Sequence, residues 1–296
     1  MLHRRATHCG KWYSTSSTEL STSLQQWLDE AEVIHSPARA IIAPHASYQF
    51  SGPCAAHAYK QIDPSHVKRV FIFGPSHHKW FKKCALTTTQ ACQTPLYDLI
   101  VDSQVNTDLI STGMFEWMDI QVDEAEHSIE MQLPYIAQIM RRYSNAFTVV
   151  PILVGTLTPE QVESYSDIFW KYFADPENLF IISSDFCHWG KKFNYTPYNG
   201  YFGKPIYRFI EDLDKKGMDV IEKLDANAFY TYLNNHKNTI CGRNPILILL
   251  RMVNKLYGCD YNASLKFIKY CQSNKCVSEN DSSVSYASAS LIVERK

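Results

Sequence analysis

Four apolar segments of strand length recur along the chain, and each ends at a cluster of small or polar residues. Continuous apolar runs are typical of strands that are covered on both faces, as in a parallel sheet. Because helix-length segments lie between them, the order predicts an α/β fold with a central, mainly parallel sheet flanked by helices. The four predicted strands are "ARAIIAPHASY", "RVFIFGPSHH", "FTVVPILVGTL" and "NLFIISSDFCHW".

The intervening segments carry apolar residues at helical spacing, and two segments near the end alternate like strands. Ser16 and Glu19 have the spacing of a capping box at the start of the first helix, and Pro134 either kinks the third helix or marks its start. No linker or repeat divides the chain, so residues 1–296 are interpreted as a single domain. The predicted helices are "TELSTSLQQWLDEAEVI", "GPCAAHAYKQI", "SIEMQLPYIAQIMRRY", "PEQVESYSDIFWKYFA", "KPIYRFIEDLDKKGMDVIEKL", "DANAFYTYLNNH" and "PILILLRMVNKLYG", and the predicted strands are "SLKFIKYCQS" and "SVSYASASLIVER".

Composition narrows the class of protein. The 296 residues are 45% hydrophobic and 20% charged with a formal net charge of −1, which is ordinary for a globular domain and argues against a nucleic-acid partner. No apolar run approaches the ~20 residues of a membrane span, and the N-terminus lacks the apolar core of a signal peptide. Nine cysteines without a C-x-x-C pair argue against a disulfide framework or a zinc ribbon, and predict mostly inert thiols in the cytoplasm or nucleus.

Metal-capable and titratable residues follow three of the four predicted strands. His45 comes after "AIIAP", His77 and His78 after "FIFGPS", and Asp185 with His188 after "FIISS". Strands of a parallel sheet share a direction, and ligands bind outside their carboxyl ends. The sequence therefore predicts a site at this edge. Successive side chains leaving a strand point to opposite sides, so one pocket is expected to take only one of His77 and His78, and the other is expected to support the site from outside or to face solvent.

Each of these residues also has a structural interpretation. His45 suits a hydrogen bond to a loop carbonyl, and Asp185 suits an Asx-turn or a helix N-cap, as do Ser183 and Ser184. His188 lies three residues after Asp185, a spacing that puts both on one side of a helical turn and lets the carboxylate orient the imidazole. Such a pair suits general acid–base work or the support of a metal ligand.

Cys241 differs from the other cysteines because it directly precedes the apolar helix predicted after "CGRNP". A helix N-terminus and the nearby Arg243 both favour a thiolate, which would be a nucleophile or a soft metal ligand. The alternative is a buried, unreactive cysteine. His127 and Glu130 are lesser candidates, because the acidic run before them is explained by the dipole of a helix that starts there.

Five motifs, "IIAPHASY", "FGPSHH", "EHSIEMQLPY", "SSDFCHWG" and "TICGRNPI", together resemble the Memo family along essentially the whole chain. The resemblance implies a fold like that of the class III extradiol dioxygenases, which are non-haem iron enzymes. It implies His45, His77 and Cys241 at the metal-binding positions, with Asp185 and His188 in the same pocket, where His188 resembles the acid–base histidine of the dioxygenases.

A His/His/thiolate set is softer than the usual His/His/carboxylate set, so a copper or iron ion is the expected cofactor. No obvious carboxylate replaces Cys241, which argues against ring-cleaving dioxygenase activity. Two positions depart from the family pattern. Ser47 stands where glycine is common, which requires a negative φ there, and Asn244 stands where a histidine often follows "CGR".

The resemblance further implies a metal-binding redox protein linked to reactive oxygen species, receptor tyrosine kinase signalling, cell motility and the cytoskeleton. The alternative is a non-catalytic adaptor in which the same pocket binds a phosphotyrosine segment of a receptor or signalling protein. In that interpretation the histidines and Arg243 contact the ligand, and Trp12 and Tyr48 form the walls.

Overall fold

The computed structural model describes residues 2–198, 203–256 and 260–296. In chain order its strands are β1 (His3–Arg4), β2 (Ala40–Ala43), β3 (Arg69–Pro75), β4 (Cys84–Leu86), β5 (Ala91–Cys92), β6 (Leu99–Ile100), β7 (Phe115–Trp117), β8 (Thr148–Val154), β9 (Asn178–Ser183), β10 (His188–Trp189), β11 (Tyr261–Gln272) and β12 (Ser283–Arg295). Its α-helices are α1 (Ser17–Glu30), α2 (Tyr48–Tyr59), α3 (Ser103–Ser111), α4 (Ile120–Ala125), α5 (His127–Glu130), α6 (Leu133–Ile139), α7 (Pro159–Phe173), α8 (Ile206–Glu222), α9 (Ala226–His236) and α10 (Arg243–Asn254).

The larger sheet has the order β10-β12-β2-β9-β3-β8-β4-β7, with β11 paired to the outer side of β12. Its four central strands, β2, β9, β3 and β8, are mutually parallel. These are the four apolar segments that the sequence predicts as a parallel core, which is confirmed. Beyond this core β12 and β4 run antiparallel to their inner neighbours, so the complete sheet is mixed.

Side chains that alternate along the central strands build a core on each face of the sheet. Phe71 stacks on Phe180 at 4.8 Å between ring centroids, and Phe73 lies 4.7 Å from Phe169 of α7. On the other face Ile72 packs in a cluster that includes buried residues of α1, α2 and α6. The predicted arrangement of helices on both faces is therefore confirmed, and the period-2 alternation explains why both faces of these strands are apolar.

Local sequence signals determine where several helices begin. Ser16 caps α1 by accepting a hydrogen bond from the Glu19 N–H, but the Glu19 carboxylate binds Ser14 Oγ, so the predicted capping box is only half formed. Pro134 lies in the first turn of α6, which settles its two interpretations in favour of a helix start. The segment with α3 and β4 to β7 was not predicted. The last two residues of the predicted helix "PILILLRMVNKLYG", and Cys259, lie outside the described residues.

One consequence of this topology is that the carboxyl ends of β2, β3 and β9 open at the same edge of the sheet. Gly74, in β3, lets α5 approach this edge closely, because a Cβ there would collide with Ser128 Oγ. Ser128 Oγ also donates to the Pro75 carbonyl at 2.8 Å. Within the described parts of the chain, no helix is long and apolar enough to cross a membrane.

Candidate functional site

Three histidine rings meet at the edge where β2, β3 and β9 end. His45 follows β2, His77 follows β3, and His127 is the first residue of α5. The ring centroids of His45 lie 5.1 Å from His77 and 5.4 Å from His127, and those of His77 and His127 lie 4.3 Å apart. One ring nitrogen from each lies within 4.8 Å of the other two. The predicted convergence of His45 and His77 is observed, and His127 joins them.

The buried hydrogen bonds around His45 determine its tautomer. His45 Nδ1 lies 2.7 Å from Ser183 Oγ, whose hydroxyl proton is already donated to the Ser128 carbonyl at 2.7 Å. Gln132 Nε2 also donates to this oxygen at 2.8 Å. Ser183 Oγ is therefore the acceptor, and His45 must carry its proton on Nδ1. Its Nε2 is left with a free lone pair, as a metal ligand or a hydrogen-bond acceptor requires.

Cys241 lies at the open nitrogen of His45, with its Sγ 3.2 Å from His45 Nε2. It is also close enough to the His77 side chain to raise the pKa of that imidazole. The thiol is held by Asp185, whose backbone N–H donates to Cys241 Sγ at 3.2 Å, while the Cys241 N–H donates to the Asp185 carbonyl at 3.3 Å. Gly242 makes this close approach possible, because a Cβ there would collide with the Ser184 side chain.

His77 is oriented by a buried carboxylate that the sequence interpretation assigned to the helix dipole. Glu126 accepts from His77 Nδ1 at 2.8 Å and from the His77 backbone N–H at 2.7 Å. Glu126 Oε1 also caps α5 by accepting from the Ser128 N–H at 2.9 Å. The bond to the carboxylate fixes the proton of His77 on Nδ1, and so leaves Nε2 for a metal. Carboxylate–histidine pairs of this kind are typical of metal sites.

Burial and mutual repulsion give the three imidazoles different pKa values. Burial lowers the pKa of His45 well below its usual range, with smaller contributions from neighbouring histidines. Burial, together with the charge of His77, lowers the pKa of His127 to about 3. Burial has the same tendency at His77, but Cys241 and Glu126 outweigh it and raise the pKa of His77 to about 10. Positive charge therefore concentrates on the one imidazole that faces a carboxylate and a thiol.

Asp185 and His188 are arranged differently from the prediction. Residues 184–187 are irregular and His188 begins β10, so the predicted helical turn over Asp185 and His188 is wrong. The Asp185 carboxylate instead accepts the His45 backbone N–H at 2.8 Å. His188 Nδ1 lies 2.9 Å from the Phe186 carbonyl and 3.1 Å from that of Thr239. Backbone carbonyls, and not Asp185, orient the His188 ring.

Both residues still belong to the neighbourhood of the histidine cluster. Burial raises the pKa of Asp185 to about 7, although hydrogen bonds from the His45 and Ala46 backbones oppose the shift. Burial lowers the pKa of His188, and the charge of His77 contributes. Because two carbonyls require a proton on His188 Nδ1, its Nε2 is available as a proton acceptor.

The N-terminal segment folds over the same edge through a buried ionic network. Arg4, completely buried, binds Asp123 Oδ1 at 2.8 Å and Glu130 Oε2 at 2.9 Å. Glu130 also accepts from the His8 N–H at 2.8 Å and from Tyr13 Oη at 2.8 Å. These bonds give Glu130 a structural role, and they hold residues 3–13 against α4 and α5.

The remaining predicted site residues divide into near and distant ones. The Trp12 ring lies 4.8 Å from His127, so this aromatic does cover the cluster. His78 and His77 are both exposed, and the His78 ring lies 5.8 Å from that of His127, so exposure alone does not distinguish the two histidines. Ser47 has a φ of −52°, as its replacement of glycine requires. Asn244 Nδ2 donates to the Gly155 carbonyl at 2.8 Å, which joins the start of α10 to the residue after β8.

A cavity of about 550 Å³ opens beside the cluster, and His77 and Cys241 form part of its wall. Its lining also includes three cationic side chains, Lys79, Lys237 and Arg243. The predicted aromatic walls, Trp12 and Tyr48, line a different cavity of about 520 Å³. Trp80 and Tyr230 line the cavity beside the cluster instead.

The donors present fit a metal ion chemically. Two ligands at bond lengths of about 2 Å on one ion lie no more than about 4 Å apart, so the 4.8 Å limit within the three-histidine group requires only small side-chain shifts. The rings of His77 and His127, however, are nearly parallel, at 22°. Lone pairs in parallel planes converge poorly on one ion. Cys241 Sγ lies 3.2 Å from His45 Nε2 and is a further candidate donor beside the group of three histidines.

Comparison with known proteins shows the family of this chain. The family model described as "Memo-like protein" matches residues 4–290. The chain belongs to the Memo family. Protein MEMO1 of Xenopus laevis is 53% identical over 290 residues, which cover 98% of this chain and 97% of the frog protein. Human Protein MEMO1 is 50% identical with the same coverage. The Caenorhabditis elegans Protein memo-1 homolog is 48% identical over 291 residues, which cover 98% of this chain and 83% of the nematode protein.

Proposed function

We propose that this member of the Memo family binds a copper or iron ion through His45, His77 and Cys241 and acts as a redox protein. The observation that supports the proposal most directly is the position of the Cys241 thiol, 3.2 Å from His45 Nε2 and close enough to His77 to raise its pKa. The two imidazoles keep their protons on Nδ1, towards Ser183 and Glu126. Nε2 of His45, Nε2 of His77 and Sγ of Cys241 are therefore the proposed donors, and a metal ion would displace the second proton of His77 and the thiol proton of Cys241.

The chemistry of these donors favours a soft or borderline metal. Thiolate and imidazole ligands select copper, and imidazole also suits iron. A bound ion of either kind would supply one-electron exchange. His127, stacked on His77, is either a further ligand after a small rotation or a neutral wall of the site.

The protein's own residues would then manage protons and access. His188 holds its proton on Nδ1 between two carbonyls and presents Nε2 as an acceptor. The Asp185 carboxylate positions the His45 loop, and the Asp185 backbone positions Cys241. Trp12 and the N-terminal segment cover one side of the cluster, which limits the access of water there.

The cellular role follows from the family and not from the geometry. We propose a role in reactive-oxygen production and receptor tyrosine kinase signalling, with effects on cell motility and the cytoskeleton, in the cytoplasm and also in the nucleus. Ring cleavage of the extradiol type is not part of the proposal. A thiol occupies the position of a carboxylate ligand, and we treat the extradiol-dioxygenase-like architecture itself as an expectation from the family.

Anaerobic titration of Cu(I) and Fe(II) against a chromophoric competitor tests the metal site. His45→Ala, His77→Ala and Cys241→Ser should each weaken binding by at least tenfold, and His127→Ala by less. Cys9→Ser is the matched control, because Cys9 is also a free, partly exposed cysteine. Wild-type affinity in Cys241→Ser, or a greater loss in His127→Ala, would replace the proposed ligand set by the three histidines.

A second candidate function, phosphotyrosine-peptide binding, is favoured by the cavity beside His77. Lys79, Lys237 and Arg243 line it, and clustered cations are the usual recognition mode for phosphate. Isothermal titration with a phosphotyrosine peptide and its unphosphorylated counterpart tests this function. Binding that needs the phosphate, survives chelator and falls in Arg243→Ala supports the adaptor, whereas equal binding of both peptides contradicts it.

A further inference from the structure

Two free cysteines that are distant in the chain lie close together, one in α2 and the other in β11. Cys54, in α2, is buried, and Cys271, in β11, is partly exposed. Their side chains lie close enough for each to affect the pKa of the other. Cys54 Sγ also lies 3.6 Å from Ser288 Oγ and 4.0 Å from the Lys269 carbonyl, which places it directly over the β11–β12 hairpin. The fold therefore creates a thiol pair that no sequence spacing indicates.

The two thiols are chemically unequal. Burial raises the pKa of Cys54 well above its usual range. The neighbouring Cys54 thiol, helped by the charge of Lys269, lowers the pKa of Cys271 although burial opposes it. A partly exposed thiol with thiolate character next to a buried thiol is the usual arrangement of a peroxide-sensitive cysteine and its resolving partner.

We propose that Cys54 and Cys271 form a reversible disulfide when the protein meets hydrogen peroxide. The Cys271 thiolate attacks one peroxide oxygen, the O–O bond breaks, and the departing hydroxide takes up a proton to become water. Cys271 is then a sulfenic acid. Cys54 attacks its sulfur, the S–O bond breaks, and the second hydroxide leaves as water with the proton of the Cys54 thiol. Two thiols are oxidised by two electrons, and one peroxide is reduced to two waters.

This disulfide would link the helix that follows the His45 loop to the long C-terminal hairpin. Ser47 precedes α2, and Ser51 Oγ donates to the Ala46 carbonyl at 2.6 Å, so α2 and the loop are already joined. Ser288 Oγ in β12 donates to the Cys54 carbonyl at 2.6 Å on the same side. In the oxidised form the disulfide would join α2 covalently to β11. None of these contacts involves the proposed metal ligands, so the inference does not depend on metal binding.

Differential alkylation tests the proposal on the full chain, with and without prior chelation. After exposure to hydrogen peroxide, the thiols that remain free are blocked with iodoacetamide in denaturant. Disulfides are then reduced with dithiothreitol, and the thiols released in this step are labelled with N-ethylmaleimide. Cys54 and Cys271 should lose the first label together, gain the second after dithiothreitol, and appear as one cross-linked peptide in the non-reduced digest. Over-oxidised Cys271 beside alkylated Cys54, or Cys271 bonded to another cysteine, would overturn the proposal.

Three variants make the test specific. Cys54→Ser should stop at the sulfenic acid of Cys271, which dimedone captures. Cys271→Ser should leave Cys54 fully alkylated after peroxide. Cys276→Ser, which removes another free cysteine in the connection that follows β11, should form the cross-link as wild type does. A cross-link that disappears in Cys276→Ser, or peroxide oxidation of Cys54 in Cys271→Ser, would assign the reaction to other thiols.

Discussion

Glu126→Gln tests whether the carboxylate behind His77 controls the metal site. Glu126 is 1% exposed and makes two hydrogen bonds to His77, one to Nδ1 and one to the backbone N–H. Burial raises the pKa of Glu126, but the hydrogen bonds and charge of His77 prevail and lower it to about 2. The glutamine keeps the size of the side chain and removes its charge, so its effects are electrostatic.

The pKa gives the scale of the stability change. The lowering from 4.5 to about 2 corresponds to roughly 3 kcal/mol at about 1.4 kcal/mol per pKa unit. Because the folded pKa is depressed, this contribution is present above pH 4.5 and is lost as the pH falls towards 2. Whichever way its amide is turned, the introduced glutamine would place an NH₂ group against a backbone N–H of His77 or Ser128. Glu126→Gln should therefore be less stable by about 3 kcal/mol at pH 7 and by much less near pH 2.

Metal affinity should change in the same direction. Loss of the carboxylate partner of a metal-binding histidine costs about 10–100-fold in affinity, which is about 1.4–2.8 kcal/mol. The pKa of His77 should also fall, because Glu126 raises it. Competition titration with Cu(I) measures the first effect, and NMR titration of the His77 ring measures the second in metal-free protein.

Glu124→Gln is the matched control. It removes the same charge two residues earlier in the chain, from a carboxylate that binds Arg5. It should leave metal affinity and the pKa of His77 close to wild type. If Glu126→Gln also binds Cu(I) as tightly as wild type, Glu126 does not support a metal ligand. An unchanged pKa of His77 in that variant would further refute the assigned hydrogen bond.

Three further substitutions test other parts of the structure. Ser183→Ala leaves three buried hydrogen-bonding partners of its hydroxyl unsatisfied, His45 among them. The free energy of unfolding, measured by urea denaturation, should fall by about 3 kcal/mol. A loss under about 1 kcal/mol would contradict the assigned network. Burial raises the pKa of Asp214 to about 6, so the contribution of Asp214 to stability should fall as the pH rises from about 4 to 6. The difference in stability between wild type and Asp214→Asn should therefore change by roughly 3 kcal/mol over this range, and parallel pH–stability curves would refute it. Thr158→Ala breaks the capping box with Gln161 and should lower stability by about 1 kcal/mol, with no change expected if α7 is held by packing alone.

The sequence predicts the parts of this fold that local patterns encode. The four central strands carry continuous apolar runs because helices cover both faces, and such runs are visible without a structure. The shared direction of those strands then brings His45 and His77 together without any knowledge of side-chain contacts. The antiparallel edges were not predicted, because the pairing of β12 with β2 joins segments at opposite ends of the chain.

The sequence does not reveal how the ligands are supported. His127 begins α5 and Glu126 caps it, and Gly74 allows this four-residue helix to lie against β3. The acidic run before α5 is explained locally by capping and the helix dipole, and Glu126 does cap α5, so nothing local indicates its second role. Asp185 and His188 show the opposite failure. Their spacing fits a helical turn, but the chain is irregular there, and backbone carbonyls orient the imidazole instead.

The proposed ligands are held by contacts that form when the chain folds, without a metal. His45 after β2 is fixed by Ser183 of β9, His77 after β3 by Glu126 before α5, and Cys241 before α10 by the backbone of Asp185. In small metal-dependent domains, binding energy is consumed in folding, and chelators denature the protein. Here two large apolar cores stabilise the sheet that places the donors. The free energy of metal binding is therefore not needed for folding, and removal of a bound metal should leave the fold intact.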